Sequence, residues 1–129
     1  MARKISRKHE FWISDYAYLE LKNFCLRYGE FKDEISVILN STACMPTAAR
    51  DDPTADTALR IERLSRKREL IEQTAIEADS AIYQALINNV TTGVSYEQMR
   101  ACGIRIPCGQ RQFYKKRRKF FWLLNYKKG

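Results

Sequence analysis

No carboxylate follows Glu97. Residues 98–129 hold ten lysines and arginines without one acid, and residues 1–9 hold four (Arg3, Lys4, Arg7, Lys8), again without an acid. The acids are confined to residues 10–97, where fifteen of them face nine bases. The formal charge of +8 therefore resolves into +4 and +10 at the two ends and −6 between them. A split of this kind points to contact with a polyanion at the ends and a conventional solvated scaffold in the middle.

Other scarcities narrow the class. Five glycines and three prolines in 129 residues are too few for an all-β chain, which needs many turns. No apolar run approaches the roughly 18 residues of a membrane helix, so no membrane association is expected. MARKISRKHEFW is basic but has no apolar stretch behind it, so no secretory signal is expected either. The four cysteines (Cys25, Cys44, Cys102, Cys108) form no CxxC, and His9 is the single histidine. No zinc spacing results, no metal or other cofactor is expected, and the thiols fit a reduced, cytoplasmic protein. No Ser-His-Asp, HExxH, Walker or GxGxxG pattern occurs, so neither catalysis nor a small-molecule substrate is expected. With 45% hydrophobic and 12% aromatic residues, the chain can nevertheless build a core.

What is present reads as all-α. Residues 1–8 form a basic arm. Over 9–40, Ser14 or Asp15 caps a helix carrying Tyr18, Leu21, Cys25 and Tyr28 at helical spacing, and Gly29 stops it. A second helix from Glu30 to Asn40 carries Phe31, Ile35, Ile38 and Leu39, and the two are expected to form a helical hairpin. STACMPTAARDDPT marks a linker at 41–53. From 54 to 90 there is neither glycine nor proline. Leu59, Leu64, Ile71, Ala75 and Ala78 form an a/d-like seam with charged flanks, which suggests a long helix and, through its seam, a homodimer. Asp79-Ser80 either interrupts this helix and caps a new one carrying Ile82, Tyr83, Leu86 and Ile87, or lies within one helix of about 35 residues.

The remainder of 54–129 carries the functional pattern. Ser95 and Gln98 make a capping box, and Val94 can staple to Met99. A short helix then ends at Cys102-Gly103, a turn holds Ile104, Pro107 and Gly109, and a basic helix runs to about Tyr126 with Phe113, Phe120 and Leu124 on its core stripe. Of Phe121 and Trp122, one is left to pack against the N-terminal helices or a second protomer. Helix, capped helix, glycine-bearing turn and basic helix are the organisation of a helix-turn-helix unit for double-stranded DNA. On that reading Gln110, Arg111 and Tyr114 face bases, Gln110 suiting adenine and Arg111 guanine. Ser95, Arg105, Lys115, Arg117, Arg118 and Lys119 meet phosphates, which set affinity and register.

These features resemble the ArpU/RinA-type transcriptional regulators of phages and prophages of Gram-positive bacteria. The resemblance rests on the long charged helix, AIYQALINNVTTG, the capped SYEQM helix, GQRQFYKKRRKFFWLL and, near the start, DYAYLELKNFCLRYGEFKDEI. It implies a helical N-terminal region joined to a helix-turn-helix similar to region four of sigma factors, acting in late-gene transcription. RNA polymerase is then a second candidate partner. In place of the family's usual Ser or Thr before the recognition helix stands Ile106-Pro107-Cys108-Gly109. Rival readings of the same basic pattern are an inhibitor of a nuclease or polymerase complex, of anti-CRISPR type, and a DNA-packaging adaptor.

Overall fold

The computed structural model describes residues 9–44 and 55–129. Among them are six helices and no strand: α1 (Asp15–Leu26), α2 (Tyr28–Cys44), α3 (Ala55–Ala78), α4 (Tyr83–Thr92), α5 (Tyr96–Ala101) and α6 (Gln110–Lys128). The basic arm at 1–8 and most of the expected linker lie outside the described residues, but 41–44 continue α2 as helix rather than beginning a linker.

Ser14 caps α1, its Oγ accepting from the Ala17 amide at 3.2 Å. The helix ends at Leu26, earlier than the Gly29 stop expected from sequence, and Gly29 lies inside the first turn of α2. Only Arg27, itself in the right-handed helical region (φ −83°, ψ 0°), separates the two helices. Such a break bends the chain without folding it back, so α1 and α2 are not a hairpin. The hairpin is made by α2 and α3 instead. Tyr28 donates to Glu72, the Lys67 ammonium sits 5.3 Å from the centre of the Phe31 ring, and Arg60 pairs with Glu34 at 3.9 Å. Those pairs advance along α2 while retreating along α3, which makes the two antiparallel.

Of the two readings left open at Asp79-Ser80, the interruption is the one present. The Asp79 carboxylate accepts from the Ala81 amide at 2.9 Å, turning the chain before α4 begins at Tyr83. Ile82, not Asp79 or Ser80, occupies the cap position of α4.

The core is continuous from α1 to α6. It runs through Leu21, Phe31, Ile71, Leu86, Met99 and Phe120, each almost fully buried. Each such side chain contributes roughly 1.5–3 kcal/mol relative to an exposed one. The seam of α3 is spent inside the chain: Leu64, Ile71, Ala75 and Ala78 are buried against α2, α4 and α6. The seam from which a homodimer is expected is thus covered by helices of the same chain. Of the seam, Leu59 alone is exposed, together with Leu39 of the expected α2 stripe. No described helix is long and apolar enough to cross a membrane.

Candidate nucleic-acid interface

The segment after α4 is built by local signals that act as their residue types require. Gly93 ends α4 with φ at +80°. Ser95 then caps α5 reciprocally: its Oγ accepts from the Gln98 amide at 3.1 Å, and its own amide donates to Gln98 Oε1 at 2.9 Å. The far end closes as a Schellman motif, with Gly103 donating to the Arg100 carbonyl and Ile104 to that of Met99, both at 3.0 Å. Gly103 sits at φ +87°, where a Cβ would be strained.

Tyr96 fixes the angle between α5 and α6. Its buried ring lies 5.5 Å from that of Phe113, and its hydroxyl donates to the Cys108 carbonyl at 2.6 Å, holding the end of the turn. Gly109 begins α6 in extended backbone (φ −77°, ψ 168°) and offers no side-chain cap. The first turn of α6 therefore starts without a protein oxygen from its cap residue.

The expected site residues separate into three groups. Gln110, Arg111, Arg105 and Lys115 are exposed, on or beside the start of α6. Among the described residues no carboxylate lies within ion-pair distance of Arg105, Arg111 or Lys115. Arg118 and Lys119 are half-buried further along the helix, and Ser95 is half-buried with its hydroxyl committed to the cap. Tyr114 and Arg117 are turned inward. The Tyr114 hydroxyl accepts from the Tyr96 amide at 3.4 Å, at the first turn of α5, so it braces the two helices and is not directed at bases.

Arg117 is the clearest departure from a phosphate-contacting role. Its Nε donates to Asn89 Oδ1 at 2.7 Å, another nitrogen donates to the Tyr18 hydroxyl at 3.1 Å, and the guanidinium lies 4.9 Å from the centre of the Phe121 ring. Within KKRRK the neighbouring Lys116 is also engaged, 3.8 Å from the Asp79 carboxylate. The run is thus split between inward and outward charges by helix geometry: positions 113, 117, 120 and 124 form the inner stripe, while 111, 115, 118 and 122 form the outer one.

Two residues missed by the sequence reading hold this arrangement. Asn89 is buried, with its Nδ2 donating to the Val94 carbonyl at 2.8 Å while its oxygen serves Arg117. Arg100, exposed on α5, lies 5.9 Å from the Tyr96 ring centre and enlarges the basic surface. Both Phe121 and Trp122 pack against the N-terminal part of the chain: Phe121 edge-on to Tyr18 at 5.1 Å, Trp122 against Phe11 at 5.6 Å.

An open groove of about 490 Å³ lies between the start of α4 and the turn, lined by residues that include Tyr83, Gln84, Asn88, Ile104 and Arg105. Its wall offers the Tyr83 phenol, the Gln84 and Asn88 amides and the Arg105 guanidinium, and no carboxylate, thiol or imidazole is among these lining residues. Among the described residues no three His, Cys, Asp or Glu side chains cluster as metal ligands. Compared with protein-family models, curated proteins and solved structures, the chain matches none of them.

Proposed function

We propose that residues 80–126 form a helix-turn-helix unit that binds double-stranded DNA in a sequence-dependent manner, as a transcriptional regulator of phage or prophage genes. α5 is the supporting helix and α6 the recognition helix. The observation that carries this reading is the placement of exposed Gln110 and Arg111 on the first turn of a helix packed through Phe113 against Tyr96 of a capped partner, with no acid in either helix but Glu97. A helix start of this kind suits the major groove, where an amide can pair with adenine and a guanidinium with guanine. Arg105, Lys115, Arg118 and Lys119 are the phosphate side of the surface. Arg117 and Tyr114 position α6 and do not read it. The ArpU/RinA-type resemblance supports the regulatory role and enters here as part of the proposal.

Fluorescence anisotropy with a duplex of about 30 base pairs tests it. Binding weakens steeply between about 50 and 200 mM salt, with each phosphate contact contributing about −0.9 to the log–log slope. Lys115→Ala lowers that slope by about 1 and weakens binding to all duplexes alike. Absence of duplex binding at low salt contradicts the reading, and copurification with a nuclease or polymerase in its place favours an inhibitor.

A further inference from the structure

α1 is apolar on two sides. On its inner side Leu21 and Cys25 are buried, and Tyr18 stands edge-on to Phe121. On the opposite side Tyr16, Leu19, Asn23 and Leu26 follow one another at intervals of three, four and three residues, which places them in one row along the helix. In that row Tyr16 is 86% exposed, Leu19 51% and Leu26 41%. Among the described residues no other helix carries three exposed large apolar side chains. One apolar side suffices to seat a surface helix, so the second has no role in the fold of a single chain.

The charges beside the row say what fits it. Its N-terminal half is flanked by Asp15 and Glu20 and its C-terminal half by Lys22 and Arg27, all exposed. Arg27 also pairs with Glu30 at 3.3 Å, but both side chains are more than half exposed, so the guanidinium can take a second partner. Two such helices laid antiparallel set the acidic half of each on the basic half of the other. Glu20 of each copy then lies beside Arg27 of the other copy, and the helix dipoles are opposed. Laid parallel, the same helices set Asp15 against Glu20 and Lys22 against Arg27. The face is thus complementary to itself in one orientation and repels itself in the other, as an isologous two-fold contact requires.

We propose that a second copy of this chain docks antiparallel on the outer side of α1, through Tyr16, Leu19 and Leu26 with Glu20–Arg27 pairs at the edge, and makes a two-fold dimer. The contact leaves the basic surface open, because α1 meets α6 through the inward-turned Arg117 and Phe121 and not through Arg111 or Lys115. Its size sets its strength. Three apolar side chains from each copy, on a helix about 18 Å long, bury less than the roughly 1,200–2,000 Å² of a standard interface. The dimer is therefore reversible, with dissociation in the micromolar range. It forms without DNA, so it stands or falls apart from the helix-turn-helix reading.

Sedimentation velocity on the full chain without DNA, from low to high micromolar concentration, decides this. The mass is expected to rise with concentration from the 15.2 kDa of one chain toward twice that value. Leu19→Glu, at a position exposed in the single chain, is expected to leave thermal melting at low concentration unchanged and to raise the dissociation constant about tenfold or more. Glu20→Arg and Arg27→Glu are each expected to weaken self-association. An equimolar mixture of the two should restore it, because opposite charges then meet across the mixed pair. A chain that stays at 15.2 kDa at every concentration overturns the proposal, as does a dimer that Leu19→Glu leaves intact. A dimer weakened by Leu19→Glu without rescue in the charge-variant mixture overturns the antiparallel orientation.

Discussion

Arg117 Nε donates to Asn89 Oδ1 at 2.7 Å, joining residues 28 positions apart on α6 and α4. The contact matters because Asn89 is buried and its other end holds the Val94 carbonyl, immediately before the α5 cap. One amide thus ties the start of α5 to the middle of α6, and the same guanidinium reaches α1 through Tyr18. The basic surface is oriented by a cation that does not belong to it.

Arg117→Ala is accordingly expected to lower stability by about 2–3 kcal/mol, because it strands a buried acceptor and removes a charge-assisted hydrogen bond. Lys115→Ala, two residues away and exposed, stays within about 0.5 kcal/mol. Arg117→Lys recovers little, since an ammonium lacks the fork that serves two partners. Urea denaturation of the three variants checks this. A double-mutant cycle with Asn89→Ala should show coupling of about 1 kcal/mol or more. Equal losses in Arg117→Ala and Lys115→Ala contradict the assignment.

Gly109 supplies a second, separable test. Its backbone conformation is open to any residue, and a Cβ there meets nothing within 4 Å. Gly109→Ser should stabilise the fold by up to about 1 kcal/mol, through a new cap and a less flexible unfolded chain. Gly109→Asp should stabilise at least as well, its charge complementing the helix dipole. In duplex binding the two diverge: the Ser variant matches the unaltered chain, while the Asp variant weakens because a carboxylate then faces the phosphates. Equal DNA binding by both would place the start of α6 away from DNA.

The thiols should react in the order of their surroundings. Burial pushes the Cys25 thiol up to about 12, although Arg117 and Lys128 oppose the shift. Cys108 is raised less, by burial and then by Asp79, with Lys116 opposing. Cys102 is exposed. Iodoacetamide at pH 8, followed by site-resolved mass spectrometry, should label Cys102 rapidly, Cys108 more slowly and Cys25 only under denaturant. Labelling of native Cys25 at the Cys102 rate would show that α1 does not hold its Leu21–Cys25 face against the rest of the core.

Tyr28 predicts an alkaline limit for the α2–α3 hairpin. Burial and the hydrogen bond it donates to Glu72 raise the phenol from 10.0 to about 12. A group whose folded value is raised contributes stability that is complete below its unfolded value and is lost as pH climbs through the folded one. The stability advantage of the unaltered chain over Tyr28→Phe should thus be constant below about pH 10 and shrink between about 10 and 12. Chemical denaturation at a series of pH values reads this, and an advantage that grows above pH 10 contradicts it.

Much of the fold is legible in the sequence because the local signals are short-range. Ser14, the Ser95–Gln98 box, Gly103 and the break at Asp79 act through hydrogen bonds within a few residues, and each lies where its chemistry demands. Gly29 misleads because glycine is only a tolerant residue: it marks a stop when φ is positive, and here it sits in the first turn of a helix. The α3 seam looks the same whether its partner is a second copy or a helix of the same chain. Within the candidate site, the exposed places of Gln110 and Arg111 follow from helical phase. Arg117 also announces itself by phase, four residues after Phe113 and three before Phe120. The KKRRK context nonetheless suggests an outward charge. Its partners Asn89 and Tyr18 are 28 and 99 residues away, contacts that no local pattern specifies.

The most direct test of the central claim is selection from a randomised duplex pool with the unaltered chain and with Arg111→Ala. The account predicts an enriched motif for the unaltered chain and loss of preference at one base pair, worth about 1–3 kcal/mol, for Arg111→Ala, with the rest of the motif retained. A pool that stays random with the unaltered chain, or a motif unchanged by Arg111→Ala, would contradict base reading by the first turn of α6.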